Sequence, residues 1–300
     1  MKKGKTPLKR RSLLVRRILR WYKTFARPLP WRKTRNPYEI LVSEVMLQQT
    51  QVSRVLQKYG PFLKRFPSLS TLARSSPDRV IRAWSGMGYN NRAVRLRSLA
   101  GIVVRDCGGR IPKDVGELRK LPGIGKYTAH AIACFAYEQP VPVVDTNISR
   151  VLGRVFRGTE LDVWDLAGRI LPSRSAYEWN QSLMELGATI CTSARPRCVD
   201  CPISGLCPSA FQSVHRMRSL RKKEPGRNGV PNRIYRGRIV ETLRKQRRGR
   251  AGLALIGRKI KADFSGTDRT WLLKLLGRLE QDGLIRKSGS GKGISVRLAS

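Results

Sequence analysis

Four of the six cysteines in this chain, Cys191, Cys198, Cys201 and Cys207, fall within 17 residues in the spacing C-x6-C-x2-C-x5-C. The chain around them carries 61 Lys and Arg against 20 Asp and Glu, a formal net charge of +41. In a basic chain of intracellular character, clustered cysteines read as a metal site rather than as disulfides. Four thiolates can ligate either zinc or a [4Fe–4S] cluster. Structural zinc usually takes two separated C-x2-C knuckles. Here there is one close pair and all four ligands lie on a single loop, which favours the cubane. Cys107 and Cys134 are isolated and read as ordinary buried residues.

The opening residues, MKKGKTPLKRR, look like the basic start of a signal peptide, but SLLVRRILRWYK, which follows, is charged throughout and supplies no apolar region. No run of 18 apolar residues is present, so no membrane partner is expected. The expectation is an intracellular protein of the cytoplasm or nucleoid, with nucleic acid as the default partner for so much positive charge.

Residues 1–35 hold 14 Lys and Arg and no acidic residue. Leu13, Leu14, Ile18, Trp21 and Tyr22 recur there at helical spacing, and Leu29-Pro30-Trp31 ends the pattern. From Pro37 to Tyr137 short helical patterns alternate with turns at Gly60-Pro61, Phe66-Pro67, Gly108-Gly109 and Leu121-Pro122-Gly123. Strand alternation is missing, so the fold class is all-α. Residues 216–231 read as a basic Pro/Gly linker. Beyond it come helical patterns over 234–245 and 254–260, a third helix capped by Asp268, and alternation over 284–287 and 294–298 that marks a hairpin. That order suggests a winged-helix-like α+β module, and residues 216–300 hold 24 Lys and Arg against 6 Asp and Glu. Arg269 and Lys274 on its third helix, with Arg286, Lys287 and Lys292 at the wing, would contact phosphates.

Three further segments carry chemistry. In LPGIGKYTA (121–129), Gly123 and Gly125 permit a tight turn that leaves backbone N–H groups exposed at the start of a helix, a ready phosphate site, although a plain helix–helix turn reads the same. Asp145 stands where it would cap the helix that follows. Glu44, within EILVSEVMLQQTQ, has Ile40, Leu41 and Leu47 as helical neighbours. A carboxyl among apolar groups resists ionising and can act as a general acid, whereas a surface glutamate paired with an arginine would not.

The cysteine spacing, LPGIGKYTA and Val144-Asp145 together resemble the endonuclease III superfamily of helix-hairpin-helix DNA glycosylases. Within it, SEVMLQQTQV, LPW (29–31), WSGMGY (84–89) and NQSLMELGATICT (180–192) resemble the adenine DNA glycosylases, which act on adenine opposite guanine or 8-oxoguanine. The resemblance covers roughly residues 10–210 and implies a six-helix barrel over 29–139 and an iron–sulfur domain built from 1–28 and 140–215. Residues 216–231 and 232–300 remain as linker and C-terminal module. It further implies that Cys191, Cys198, Cys201 and Cys207 hold a [4Fe–4S] cluster. The hairpin at Leu121, Gly123, Gly125 and Lys126 would grip the DNA backbone and bind a monovalent cation through its carbonyls.

By the same resemblance Glu44 protonates the adenine ring and Asp145 stabilises the oxocarbenium-like sugar. Tyr127 and Asn147 line the site, Gln49, Thr50 and Tyr89 meet the duplex near the opposite base, and Gln181 contacts the flipped adenine. The implied partner is double-stranded DNA with mismatched or damaged bases, engaged by a monomer. Such an enzyme must flip its base out of the stack. Bifunctional members carry a lysine where this chain has Tyr127, and Lys126 is displaced by about 100° on the helix, so a monofunctional enzyme is expected.

The chain departs from the adenine enzymes at three points. Its C-terminal module stands where they have a Nudix-like domain, Asn90 where they often have a second tyrosine, and Thr146 where many have glycine. A thymine/uracil mismatch glycosylase and a non-catalytic DNA-binding protein on the same scaffold are the alternative readings.

Overall fold

The structure, a computed structural model, describes residues 10–212, 224–246, 249–290 and 293–300. In chain order the helices are α1 (Arg11–Phe25), α2 (Pro37–Leu47), α3 (Val52–Arg65), α4 (Leu69–Arg74), α5 (Pro77–Ala83), α6 (Asn91–Asp106) and α7 (Val115–Lys120). They continue with α8 (Lys126–Tyr137), α9 (Thr146–Val155), α10 (Val163–Ile170), α11 (Ala176–Thr189), α12 (Asn232–Lys245), α13 (Leu253–Ile260) and α14 (Arg269–Gln281). Two compact units interleave along the sequence. One runs to Leu41, takes Pro112–Lys120 and resumes at Ile124 through the cysteine region; the other takes Val42–Ile111, Leu121–Gly123 and the C-terminal region.

In the first unit α1 buries Leu14 and Ile18, two residues of the apolar stripe visible in the sequence. They join Ile148 and Leu152 of α9, Leu166 and Ile170 of α10, Leu183 and Leu186 of α11, and Ile203 from the cysteine region in one core. Each such aliphatic side chain contributes about 1.5–3 kcal/mol on burial. Set into this apolar unit is one carboxylate, Glu185 of α11, whose side chain has no exposed surface. Arg27 Nε donates to Glu185 Oε1 at 2.5 Å and Arg32 Nη2 to Oε2 at 2.8 Å. Burial alone would raise the Glu185 pKa, but the two arginines outweigh it and hold the carboxyl below its usual range.

In the second unit, Ser68 and Ser76 cap α4 and α5 with side-chain hydrogen bonds, and Pro77 opens α5 at the position where its missing N–H costs nothing. The C-terminal region adds a short hairpin of β1 (Gly226–Arg227) and β2 (Val230–Pro231). It also adds an antiparallel sheet of β3 (Arg250–Gly252), β4 (Ile285–Ser288) and β5 (Ser295–Leu298) in the order β3-β5-β4. Arg297 of β5 pairs with both Arg250 and Arg286. Ile239, Val240 and Leu243 of α12 share a core with Ile256, Leu272, Leu276 and Val296, and that core takes in Ile81 of α5.

Several details differ from the sequence reading. Residues 226–231, expected in the linker, form the β1–β2 hairpin, because Asn228 and Gly229 both adopt positive φ and close a tight turn. Strand β3 is too short to show alternation. Asp268 does not cap α14 through its side chain; it completes a capping box with Ser265 one turn earlier and is held by Lys261 and Arg227. The C-terminal module shares a unit with 42–111, and the division falls inside α2 and in the loops on either side of α7 rather than at residues 29 and 139. Lys292 and residues 216–223 of the expected linker lie outside the described residues.

Candidate active site

Glu44 lies on α2 at 6% exposure, in a run from Ile40 to Met46 that is buried throughout. The helix ends at Leu47 and turns at once through Gln48, Gln49 and Thr50. Gln49 has φ +54° and Tyr89, in a second loop, φ +42°. A side chain in this left-handed region costs about 1–3 kcal/mol and persists only where surrounding contacts impose it. Here those contacts come from one buried guanidinium.

Arg92, at the start of α6, donates through Nη1 to the carbonyls of Val45 (2.8 Å), Met46 (3.0 Å) and Gln48 (2.6 Å). Its Nη2 reaches Thr50 Oγ1 at 2.9 Å and the carbonyls of Met87 and Gly88 at 3.1 Å each, and Nε reaches the Tyr89 carbonyl at 3.3 Å. Val45 and Met46 belong to the last turn of α2, whose carbonyls have no intrahelical partner. The cation therefore caps the helix that carries Glu44 and ties both loops to it. Burial pushes the Arg92 pKa down to about 10, which leaves it charged at neutral pH. The sequence reading missed Arg92. Its signal is an arginine on the same helical stripe as the buried Leu96, Leu99 and Val103.

With Arg92 beneath them, Gln49, Thr50 and Tyr89 come together along a cleft of about 910 Å³ whose other wall includes Arg233, Arg236 and Arg238 of α12. Tyr89 is 49% exposed, large for an aromatic side chain. Leu121 is buried, and Gly123 at φ +84° closes the turn that precedes α8.

In the first unit Asp145 is the N-cap of α9, as the sequence suggested: Oδ1 accepts from the Ile148 N–H at 2.7 Å. Its Oδ2 accepts from Asn147 Nδ2 at 2.8 Å. Burial raises the Asp145 pKa, against the lowering effect of those hydrogen bonds. Arg150 Nη2 holds the Asn147 side-chain carbonyl at 2.7 Å, so the pair is fixed from behind. Gly187 of α11 makes this possible, because a Cβ there would lie 2.6 Å from the Asn147 Cβ. The extended run before Asp145 is pinned by Asn180, which accepts from the Val143 N–H at 3.0 Å.

Gly125 precedes α8 as its N-cap, and Lys126 and Tyr127 are the helix's first residues. Lys126 Nζ lies 4.1 Å from the centre of the Trp164 ring. Gln181 is buried on α11 with its side-chain oxygen taken by Arg32 Nε at 2.9 Å, the packing role that sequence alone could not separate from ligand contact.

The four clustered cysteines are free thiols, half-buried, and border one small cavity with Val151, Arg154, Ile190 and Ile203. Burial pushes the Cys201 thiol up to about 11 and raises Cys207, and the neighbouring cysteines raise both further. Thiols so raised stay protonated unless a bound cation stabilises the thiolate. Arg154 Nη1 donates to Cys191 Sγ at 3.2 Å, and Arg150 Nε to the Cys191 carbonyl at 2.8 Å, which stitches the cysteine loop to α9. Among the described residues no three His, Cys, Asp or Glu side chains are gathered to hold a single metal ion. Four thiols are a donor set of the kind that ligates zinc or an iron–sulfur cluster. Cys134 is buried against Asn180 and pushed up to about 11, an inert core thiol.

The HhH-GPD superfamily of base excision DNA repair proteins matches residues 42–163. The adenine DNA glycosylase of Mycobacterium tuberculosis (strain CDC 1551 / Oshkosh) is 40% identical over 240 residues, covering 76% of this chain and 77% of that protein. A thermostable thymine-DNA glycosylase superposes with a TM-score of 0.64 at 34% identity, covering 67% of this chain and 96% of that one. An endonuclease III–DNA complex, at 21% identity and a TM-score of 0.60, shares the fold over 70% of this chain and 97% of that one. The chain thus belongs to the HhH-GPD superfamily of base excision DNA repair proteins and, within it, to the family of the adenine DNA glycosylases.

Proposed function

We propose that this chain is a monofunctional DNA N-glycosylase that excises adenine opposite 8-oxoguanine or guanine. The observation that carries the reading is the buried Glu44 on a helix that runs directly into the Gln48-Gln49-Thr50 turn, with Tyr89 on the same cleft. Glu44 donates a proton to the departing adenine ring. The C1′–N bond breaks with its electron pair leaving on the base, Asp145 stabilises the sugar cation, and water then adds at C1′, its released proton restoring the Glu44 carboxyl. Tyr127 and Asn147 attend that site. Asn147, fixed to Asp145 and Arg150, sets the direction of the carboxylate. Stabilising charge that develops only in the transition state is what makes Asp145 catalytic.

Tyr127 offers no amine, and Lys126, one position earlier on α8, lies over the Trp164 ring, which supports hydrolysis without strand cleavage. Cys191, Cys198, Cys201 and Cys207 would hold a [4Fe–4S] cluster, which when bound orders the loop around Arg195 and Arg197. A monovalent cation at the 121–126 turn, a winged-helix-like C-terminal module and a monomeric state belong to the same reading.

The test is incubation with duplexes holding A·8-oxoG, A·G, T·G or U·G, followed by alkali. Adenine duplexes should be cut only after alkali. Processing of T·G or U·G alone would overturn the assignment.

A further inference from the structure

Within the second unit, one contact of the C-terminal module bears on Tyr89. Arg244 of α12, 8% exposed in its side chain, donates through Nε and Nη2 to the Ile81 carbonyl at 3.1 and 2.7 Å. Ile81 belongs to the last turn of α5, so this carbonyl has no partner within its own helix. The same Nη2 reaches Asn90 Oδ1 at 2.8 Å, and Nη1 meets Glu241 Oε2 at 3.1 Å. Arg82 returns the contact: its Nη1 donates to the Arg244 carbonyl at 2.6 Å while its Nε is held by Asp78. Beneath this exchange Ile81 sits in the same core as Val240 and Leu243.

Asn90 is the residue after Tyr89, so the module's contact falls on the side chain next to it. The Tyr89 loop is therefore held from two sides, by Arg92 at its own carbonyl and by Arg244 through the next side chain. Helix α12 also supplies the wall of the cleft that faces Gln49 and Tyr89.

We propose that the C-terminal module works as part of the duplex-facing loop, with Arg244 a positioning residue that sets Tyr89 through Asn90, and with α12 lining the cleft for the DNA strand opposite the excised base. This rests on the glycosylase reading above. It assigns the DNA-facing role in the module to α12 rather than to Arg269 and Lys274 of α14.

The test uses the full chain and single-turnover excision of adenine from A·8-oxoG and A·G duplexes at saturating enzyme. Arg244→Met and Asn90→Ala should each slow excision about tenfold, the order expected for a modest misplacement of the duplex. Combined, they should cost no more than the worse single change, and Arg244→Met should add nothing in a Tyr89→Ala background. A full Arg244 effect without Tyr89, or unchanged rates in both single variants, overturns the proposal. If Arg244→Met fails to fold, Asn90→Ala carries the test alone, since it removes only the acceptor. If the wild type excises no adenine, the glycosylase reading fails instead. The coupling is then read from 2-aminopurine placed beside the mismatch. Its fluorescence should rise on wild-type binding and rise less with either variant; equal rises overturn the proposal.

Discussion

The two units support their functional residues by different means. In the second, one guanidinium, Arg92, caps the helix carrying Glu44 and imposes positive φ on Gln49 and Tyr89, so the loops are built entirely from groups the chain supplies. In the first, Asp145 and Asn147 stand on α9, and the same helix is stitched to the Cys191 loop by Arg150 and Arg154. That loop carries Cys201 and Cys207, whose thiols are raised by burial and by the neighbouring cysteines. The first arrangement is complete as folded. The second adds a cysteine loop, which on the proposed reading would hold the cluster.

The largest expected effect, on the proposed function, comes from removing the charge of Asp145. Asp145→Asn keeps the cap acceptor but removes the anion, and should lower single-turnover excision by about 10²–10³-fold or more with duplex affinity retained. An active Asp145→Asn enzyme would place the chemistry elsewhere. Next is the dependence on the cluster. The purified protein should be brown, with broad absorption near ~400 nm, and Cys198→Ser should lose that colour. Hydrogen exchange should then quicken over α9 and α11 far more than over α2 and α6. Uniform loss of protection, or colourless wild-type protein with zinc, would break the contrast between the units.

Arg92→Lys sharpens it from the other side. Lysine keeps the charge but offers three donors in place of five, so several carbonyls lose their partner. Thermal stability should fall by about 1–3 kcal/mol, and excision should fall while the cluster's absorption stays. Loss of the cluster in this variant would contradict independent support.

The smallest effect is a shift in pH dependence. Asp145 is raised above the ordinary aspartate range because burial outweighs its hydrogen bonds. Catalysis needs the anion, so excision should fall as pH drops through that raised value. Asn147→Ala removes one bond that favours the anion, and the acid limb should move to still higher pH. A limb that moves down would mean that Asn147 does not stabilise the carboxylate.

Much of this was legible in the chain. Cysteine spacing, the LPGIGKYTA turn and the cap at Asp145 are local patterns, and local patterns survive folding. The helices of the C-terminal module were readable from their apolar periods. What escaped were contacts between residues distant in sequence. Arg92 and Arg244 look like two of 61 basic residues until the carbonyls of residues 45–48 and 81 converge on them. Gly187 reads as an ordinary break in a helical pattern until Asn147 is seen lying against it. Asp268 was placed at the right helix start but capped the preceding turn, because Ser265 competes for it at the spacing of a capping box.

The central claim is that Glu44 is the proton donor for adenine departure, and Glu44→Gln tests it most directly, since the amide fills the same buried site on α2 and has no proton to give. Single-turnover assays on an A·8-oxoG duplex should show binding within about twofold of wild type and excision lowered by at least about 10²-fold. Excision by Glu44→Gln at the wild-type rate would contradict the account.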